Sequence, residues 1–175
     1  MANARSITNY LSAKWRHPLT MLKLYHGTNT TFDKIELNKC LPYKDFGRGF
    51  YLTSIRQQAM GRACDKCAFE GGTPAILTFL FDEKELESLN VKRFEGTNAE
   101  WAKFILANRN RRLKQHHNYD VVIGPVADDG VINSIRLYET KVIDFETLIK
   151  KLIGARPNIQ YAFCTDRAIA LLKKI

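Results

Sequence analysis

Apolar and polar positions along this chain change period several times, and the changes mark out short strands and helices. Residues 21–25 form a short apolar strand, and 29–44 a connecting stretch anchored by Phe32, Ile35 and Leu37. Phe50-Tyr51-Leu52-Thr53 predicts a second strand, with Ser54 as N-cap of a helix running to about residue 69. Glu70-Gly71-Gly72-Thr73-Pro74 breaks that helix. The nearly continuous apolar run 75–81 predicts a buried central strand. Asp82 and Glu85 have the capping-box spacing of a short helix, and 89–94 returns to an extended segment.

Further on, Asn98 caps a predicted helix to about Leu113, with Trp101, Phe104 and Ile105 at helical spacing. Residues 119–126 are a second buried strand, ended by Gly124-Pro125. A helix over 143–153 ends at Gly154 and puts Phe145, Leu148 and Leu152 on one face. Residues 158–164 alternate as a strand, and Thr165-Asp166 caps a last helix through Leu172. Strands and helices interleave without a regular βαβ repeat, which predicts an α+β fold. Residues 1–20 are polar and mixed and read as an N-terminal extension, docked by Trp15, to a domain spanning 21–175.

Composition narrows the class. A chain of 175 residues with 45% hydrophobic and 26% charged positions can bury a core as one domain without metals or disulfides. No stretch approaches the roughly 20 apolar residues of a membrane span. The N-terminus lacks the apolar core of a signal peptide, so a cytoplasmic protein with no membrane partner is expected. Cys64 and Cys67 form a lone Cys-x-x-Cys within a predicted helix. With Cys40 and Cys164 elsewhere and no second pair, the thiols are read as structural and no metal is expected. The net charge of +9 favours contact with nucleic acid or another polyanion. Arg109, Arg111, Arg112 and Lys114, followed by His116 and His117, and the terminal Lys173-Lys174 carry much of it. A solvated helix end and a phosphate-binding surface both fit that cluster.

Two segments carry the chemistry. Tyr25-His26-Gly27-Thr28 ends a strand on a histidine beside glycine, and Asp45-Phe46-Gly47-Arg48-Gly49-Phe50-Tyr51 is a glycine-spaced loop entering a strand with a tyrosine. A histidine and a tyrosine, each near a glycine that lets a ligand approach the backbone, suit a planar heteroaromatic ring. In order and spacing these segments resemble the ADP-ribosyltransferase superfamily, in its His-Tyr-Glu branch of poly(ADP-ribose) polymerases and diphtheria toxin. Glu100-Trp101 through Arg109, Tyr119 through Asp129, and Gln160-Tyr161-Ala162-Phe163 look more like an uncharacterised bacterial family of that superfamily. Some of its members sit beside antitoxin-like genes.

The resemblance implies a split two-sheet ADP-ribosyltransferase-like core with peripheral helices, and NAD as substrate in the cleft. His26 would bond the adenosine-side ribose, Gly27 would offer its backbone to the carboxamide, and Tyr51 would stack on nicotinamide. Thr28 would lie near the ribose and Arg48 near the pyrophosphate; Tyr25, Phe46, Gly47, Gly49 and Thr53 complete the expected binding set. The branch's catalytic Glu falls at Gln160, which can hydrogen-bond a hydroxyl but brings no charge to a developing cation. The branch also places a serine and a second tyrosine where Ala59 and Arg62 stand. Asp128, Asp129, Glu100 and Asp45 are reserve carboxylates, with a turn or helix cap the plainer role for the acidic pair. The expected function is NAD-dependent mono-ADP-ribosyl transfer to a nucleic acid or protein acceptor, as the toxin of a toxin-antitoxin pair, with His26, Tyr51 and Gln160 as catalytic residues. Poly(ADP-ribosyl)ation is rejected because elongation needs the Glu. The alternatives are a catalytically weak NAD or ADP-ribose-binding module and an NAD glycohydrolase.

Overall fold

Alternating side chains over Met21–Thr28 build β1, which pairs antiparallel along its whole length with β3 (Ala75–Asp82). The second motif strand, β2 (Phe50–Thr53), instead pairs antiparallel with β6 (Ile159–Phe163). That strand is flanked by β5 (Val121–Pro125), which runs parallel to the three-residue β4 (Val91–Arg93). A two-residue strand, β7 (Lys173–Lys174), closes the far edge against β3. The computed structural model describes residues 21–112, 117–152 and 158–175; the 1–20 extension with Trp15, and the expectations at Leu113, Lys114, His116, Ile153 and Gly154, lie outside them.

The fold is therefore mixed α and β, on one seven-stranded sheet of order β4-β5-β6-β2-β1-β3-β7. Two separate sheets were expected from the resemblance. The halves are instead joined, by a single register pair, Tyr25 with Thr53. The two strands carry no further register pair, so the sheet is continuous there by one rung only.

Alternation along the strands sorts side chains into two cores. Leu24, Phe50, Leu52, Leu77, Phe79, Phe81, Ile123, Tyr161 and Phe163 face one side. Val122 and Ala162 face the other, under Trp101 and Ile105 of α2 (Ala99–Arg109), Val131 and Ile135 of α3 (Asp129–Glu139), and Leu148 and Leu152 of α4 (Phe145–Leu152). The helix α1 (Arg56–Glu70) crosses β1 at Gly27, where a Cβ would fall 1.8 Å from the Ala59 carbonyl oxygen. Buried Asp120, just before β5, takes hydrogen bonds from Asn90 N–H (2.7 Å), Thr165 Oγ1 (2.7 Å) and the Arg167 guanidinium. Those donors, Arg167 first, hold its carboxyl well below the usual range and tie the β4 side of the sheet to α5 (Asp166–Ile169).

Several expectations are corrected. Ser54 does not cap α1: the cap position is Ile55, and the Thr53 hydroxyl accepts the Ile55 N–H. β3 is not central but second from the edge, with only alternate residues Leu77, Phe79 and Phe81 buried, because α1 half-covers its other face. The turn after Asp82 is a 3-10 helix, Glu83–Ser88, in which Asp82 accepts the Lys84 N–H. The last helix stops at Ile169, and the lysines expected near a helix end form β7 instead. Helix α3 has no counterpart among the predicted elements.

Two glycines near α1 make a paired prediction. Gly27→Ala drives a methyl into backbone and is expected to destabilise the protein by about 3 kcal/mol. Gly61, inside α1 with nothing within 4 Å of an added Cβ, is expected to gain about 0.5–1 kcal/mol as alanine. Urea unfolding of both variants checks the contrast in sign.

Candidate active site at the β1–β2 junction

Where β1 and β2 part, a side chain takes over from the ladder. His26 Nδ1 lies 2.8 Å from the Tyr51 carbonyl oxygen. A carbonyl only accepts, so Nδ1 carries the proton and Nε2 keeps its lone pair. The ring packs on Phe50 (centroids 4.4 Å apart) and edge-on to Phe32 (6.0 Å). Burial lowers the His26 pKa, Lys66 and Lys44 lower it further, and the Tyr51 carbonyl pulls the other way. At neutral pH the imidazole is uncharged, with Nε2 able to accept a hydroxyl proton.

Tyr51 works at its other end too. Its hydroxyl accepts the Phe46 N–H (2.9 Å) and donates to the Gly47 carbonyl (2.8 Å), so the phenol closes the glycine loop on itself. Its ring stacks with Phe46 (6.4 Å, 21°). Burial pushes the hydroxyl well above the ordinary phenol range, with Cys164 adding to the rise. Tyr51 is thus a wall and a fastener, and its proton is committed. The structure brings His26 to the backbone of Tyr51 rather than to its ring.

The loop is fastened from distant segments as well. Arg109 donates to Asp45 Oδ1 through Nε (2.8 Å) and Nη2 (2.6 Å). His117 Nε2 donates to the Phe46 carbonyl (2.9 Å), and its Nδ1 accepts the Tyr119 N–H. Asn108 Oδ1, buried with no hydrogen bond from the described residues, sits where a Gly47 Cβ would be 2.9 Å away, and Gly47 has φ +75°. Only glycine meets both demands there. A Cβ at Gly49 would fall 3.1 Å from the sulfur of Cys164, whose thiol burial pushes up to about 12. That thiol packs and does not attack.

Gln160 pairs in register with Thr53 and projects to the face opposite the His26–Phe50 contact. Its amide donates to the Pro125 carbonyl (3.3 Å) and to Asp45 Oδ2 (3.5 Å). The residue standing where a Glu was expected therefore touches a reserve carboxylate. The other reserves have structural duties: Asp128 caps α3 through the Val131 N–H, Asp129 lies in its first turn, and Glu100 pairs with Lys92.

The remaining predicted residues are placed as follows. Thr28 is buried and Tyr25 pairs with Thr53, whose hydroxyl donates to Gln58 Oε1 at 2.6 Å. Arg48 Nη1 donates to the Leu37, Asn38 and Cys40 carbonyls, holding the 3-10 turn Leu37–Lys39. Beside β1, a cavity of about 410 Å³ opens one residue past Thr28, lined by Asn29, Thr30, Thr31, Gly72, Thr73 and Ala75. The cysteines are free, and among the described residues no group of three His, Cys, Asp or Glu side chains could hold a metal. No helix there is long and apolar enough to cross a membrane. No local sequence signal marks Asn108, Arg109 and His117 as loop supports, since Arg109 sits 64 residues from Asp45 and His117 71 from Phe46.

Two outcomes follow from this geometry. Tyr51→Phe leaves Phe46 N–H and Gly47 C=O without their partner and is expected to cost about 1–3 kcal/mol in urea unfolding. For His26, the folded pKa lies below the unfolded value of about 6.5. The unfolded chain then binds the extra proton, so stability is whole above that pH and falls as pH drops toward the folded value. Unfolding free energies measured between pH 7.5 and 5.5 should show this decline, and His26→Gln should flatten it.

Comparison with known proteins finds one family. No curated protein and no solved structure matches the chain. Residues 22–174, which include every strand and helix described above save the first residue and none of the site residues missing, match a family described as "Protein of unknown function (DUF3990)". The chain belongs to that family.

Proposed function

We propose that the β1–β2 junction binds NAD and that the protein is a mono-ADP-ribosyltransferase. The observation that carries this reading is the His26–Tyr51 hydrogen bond, which joins the two sequence motifs at one point of the fold. An ADP-ribosyltransferase-like core, split at that point, is part of the same proposal, and the single rung between β1 and β2 supports it.

The chain's own groups fit the task. A dinucleotide lying across the open end of the junction would meet a neutral His26 Nε2 suited to accept from a ribose hydroxyl. Tyr51 serves through its carbonyl, which holds His26, while its ring and hydroxyl brace the glycine loop beside the site. The cavity beyond Thr28 offers room for the adenosine end. Lys44, Arg62, Lys66 and Arg109 stand near enough for the other three to depress the Lys44 ammonium, partial burial being the first cause, and such a positive group suits a diphosphate.

In the reaction, the bond between ribose C1′ and the nicotinamide nitrogen breaks with its electron pair going to nitrogen. That neutralises the pyridinium and leaves positive charge on the ribose. An acceptor's lone pair then bonds C1′, and the acceptor's proton passes to solvent. The protein's part is to hold ring and ribose apart along that path and to meet the charge as it forms. With the excess of cations, the acceptor is read as nucleic acid or a protein side chain, and an antitoxin partner belongs to the same proposal.

A second reading is a binding module that recognises NAD or ADP-ribose without cleaving it. The buried amide of Gln160, spending its N–H groups on Asp45 and Pro125, favours it. Nicotinamide release from NAD, with and without RNA, DNA or lysate, separates the two. Transfer is expected to need a macromolecular fraction, and His26→Ala and Tyr51→Ala are each expected to cut it at least about 100-fold. Binding of NAD without release under any condition would leave the module.

A further inference from the structure

The site holds a carboxylate that no family motif marks. Asp45 lies one residue before Phe46, in the loop that Tyr51 closes, and its side chain is 13% exposed. Both Arg109 contacts fall on Oδ1. Among the described residues, Oδ2 receives only the Gln160 amide, at the 3.5 Å limit of a hydrogen bond. A carboxylate oxygen accepts more than one donor, so Oδ2 has capacity left for a ligand hydroxyl.

We propose that Asp45, gripped by Arg109 and steered by Gln160, supplies the anionic group on the face of the junction opposite the His26–Phe50 contact, accepting a hydrogen bond from a ribose hydroxyl of an NAD that lies across the open end. This rests on the NAD reading above. The geometry explains an otherwise puzzling substitution. A Glu at position 160 would put two carboxylates within hydrogen-bond reach, and one of them would have to take a proton. An amide at 160 instead donates toward Asp45 and brings no second negative charge beside it. Arg109 does not cancel the group's usefulness, because it fixes Oδ1 and so aims Oδ2. The phenol of Tyr51, the imidazole of His117 and the wedge of Asn108 against Gly47 immobilise the same loop. A carboxylate so held loses little by reorganising when charge develops at C1′.

The test exchanges the two side chains. Wild type, Asp45→Asn, Gln160→Glu and the double variant are compared for NAD affinity by calorimetry, for nicotinamide release, and for thermal melting. Asp45→Asn, isosteric and still able to accept from Arg109, is expected to lose about 100-fold in release while NAD affinity changes less than about threefold. Gln160→Glu alone is expected to slow release. The double variant, which moves the carboxylate across the contact, is expected to regain at least about tenfold over Asp45→Asn. Release by Asp45→Asn within about threefold of wild type, or a gain in Gln160→Glu alone, overturns the assignment while the NAD reading stands. A wild type that neither binds NAD nor releases nicotinamide overturns both. Should Asp45→Asn fail to melt cooperatively, the direction of change in Gln160→Glu decides.

Discussion

The junction of β1 and β2 rests on one rung of main-chain pairing and one imidazole. Past Tyr25 and Thr53 the strands separate, and the Tyr51 carbonyl would face a gap. A half-buried carbonyl without a donor costs on the order of 1–3 kcal/mol, and His26 supplies the donor. That role fixes the tautomer, and the tautomer fixes what Nε2 can do. Burial reinforces the choice by keeping the ring neutral. A structural need and a binding capacity are thus met by the same proton.

Tyr51 extends the constraint in the opposite direction. Its backbone meets His26 while its hydroxyl closes the loop that carries Asp45, so a single residue sets the spacing between the two motifs. The loop gains its rigidity from residues far along the chain, and Phe46 at its centre is fully buried among aromatic rings. Loops are ordinarily the mobile parts of a fold. Here the loop is a continuation of the core, and the groups it presents are held with core precision.

The sequence revealed much of this where local rules govern. Asn98 as a cap, the apolar run of β5, and the interleaving that predicts mixed α and β all follow from short-range pattern. Other features were decided at long range. Ser54 lost the cap because Thr53 bonds Ile55 and Gln58, and the terminal lysines became a strand because β3 had an open edge. Asp128 is the helix cap that the acidic pair suggests, but the same pair fits a turn as well as the start of α3. The motif residues themselves were visible, yet Gly27 and Gly47 satisfy packing demands as well as any ligand. The pairing of Asp45 with Gln160 spans 115 residues, and no spacing rule reaches that far.

The sheet's two edges have a consequence for the protein's life in a crowded solution. β4 ends on Lys92-Arg93 and is three residues long, and β7 is Lys173–Lys174 alone. A foreign strand seeking to add to either side would find two or three rungs and a positive charge at every position but Val91. Short, cationic edges are how natural sheets refuse such guests. The broad apolar sheet at the centre of the chain is thus bounded, among the described residues, by short strands that offer an added strand few rungs and like charge.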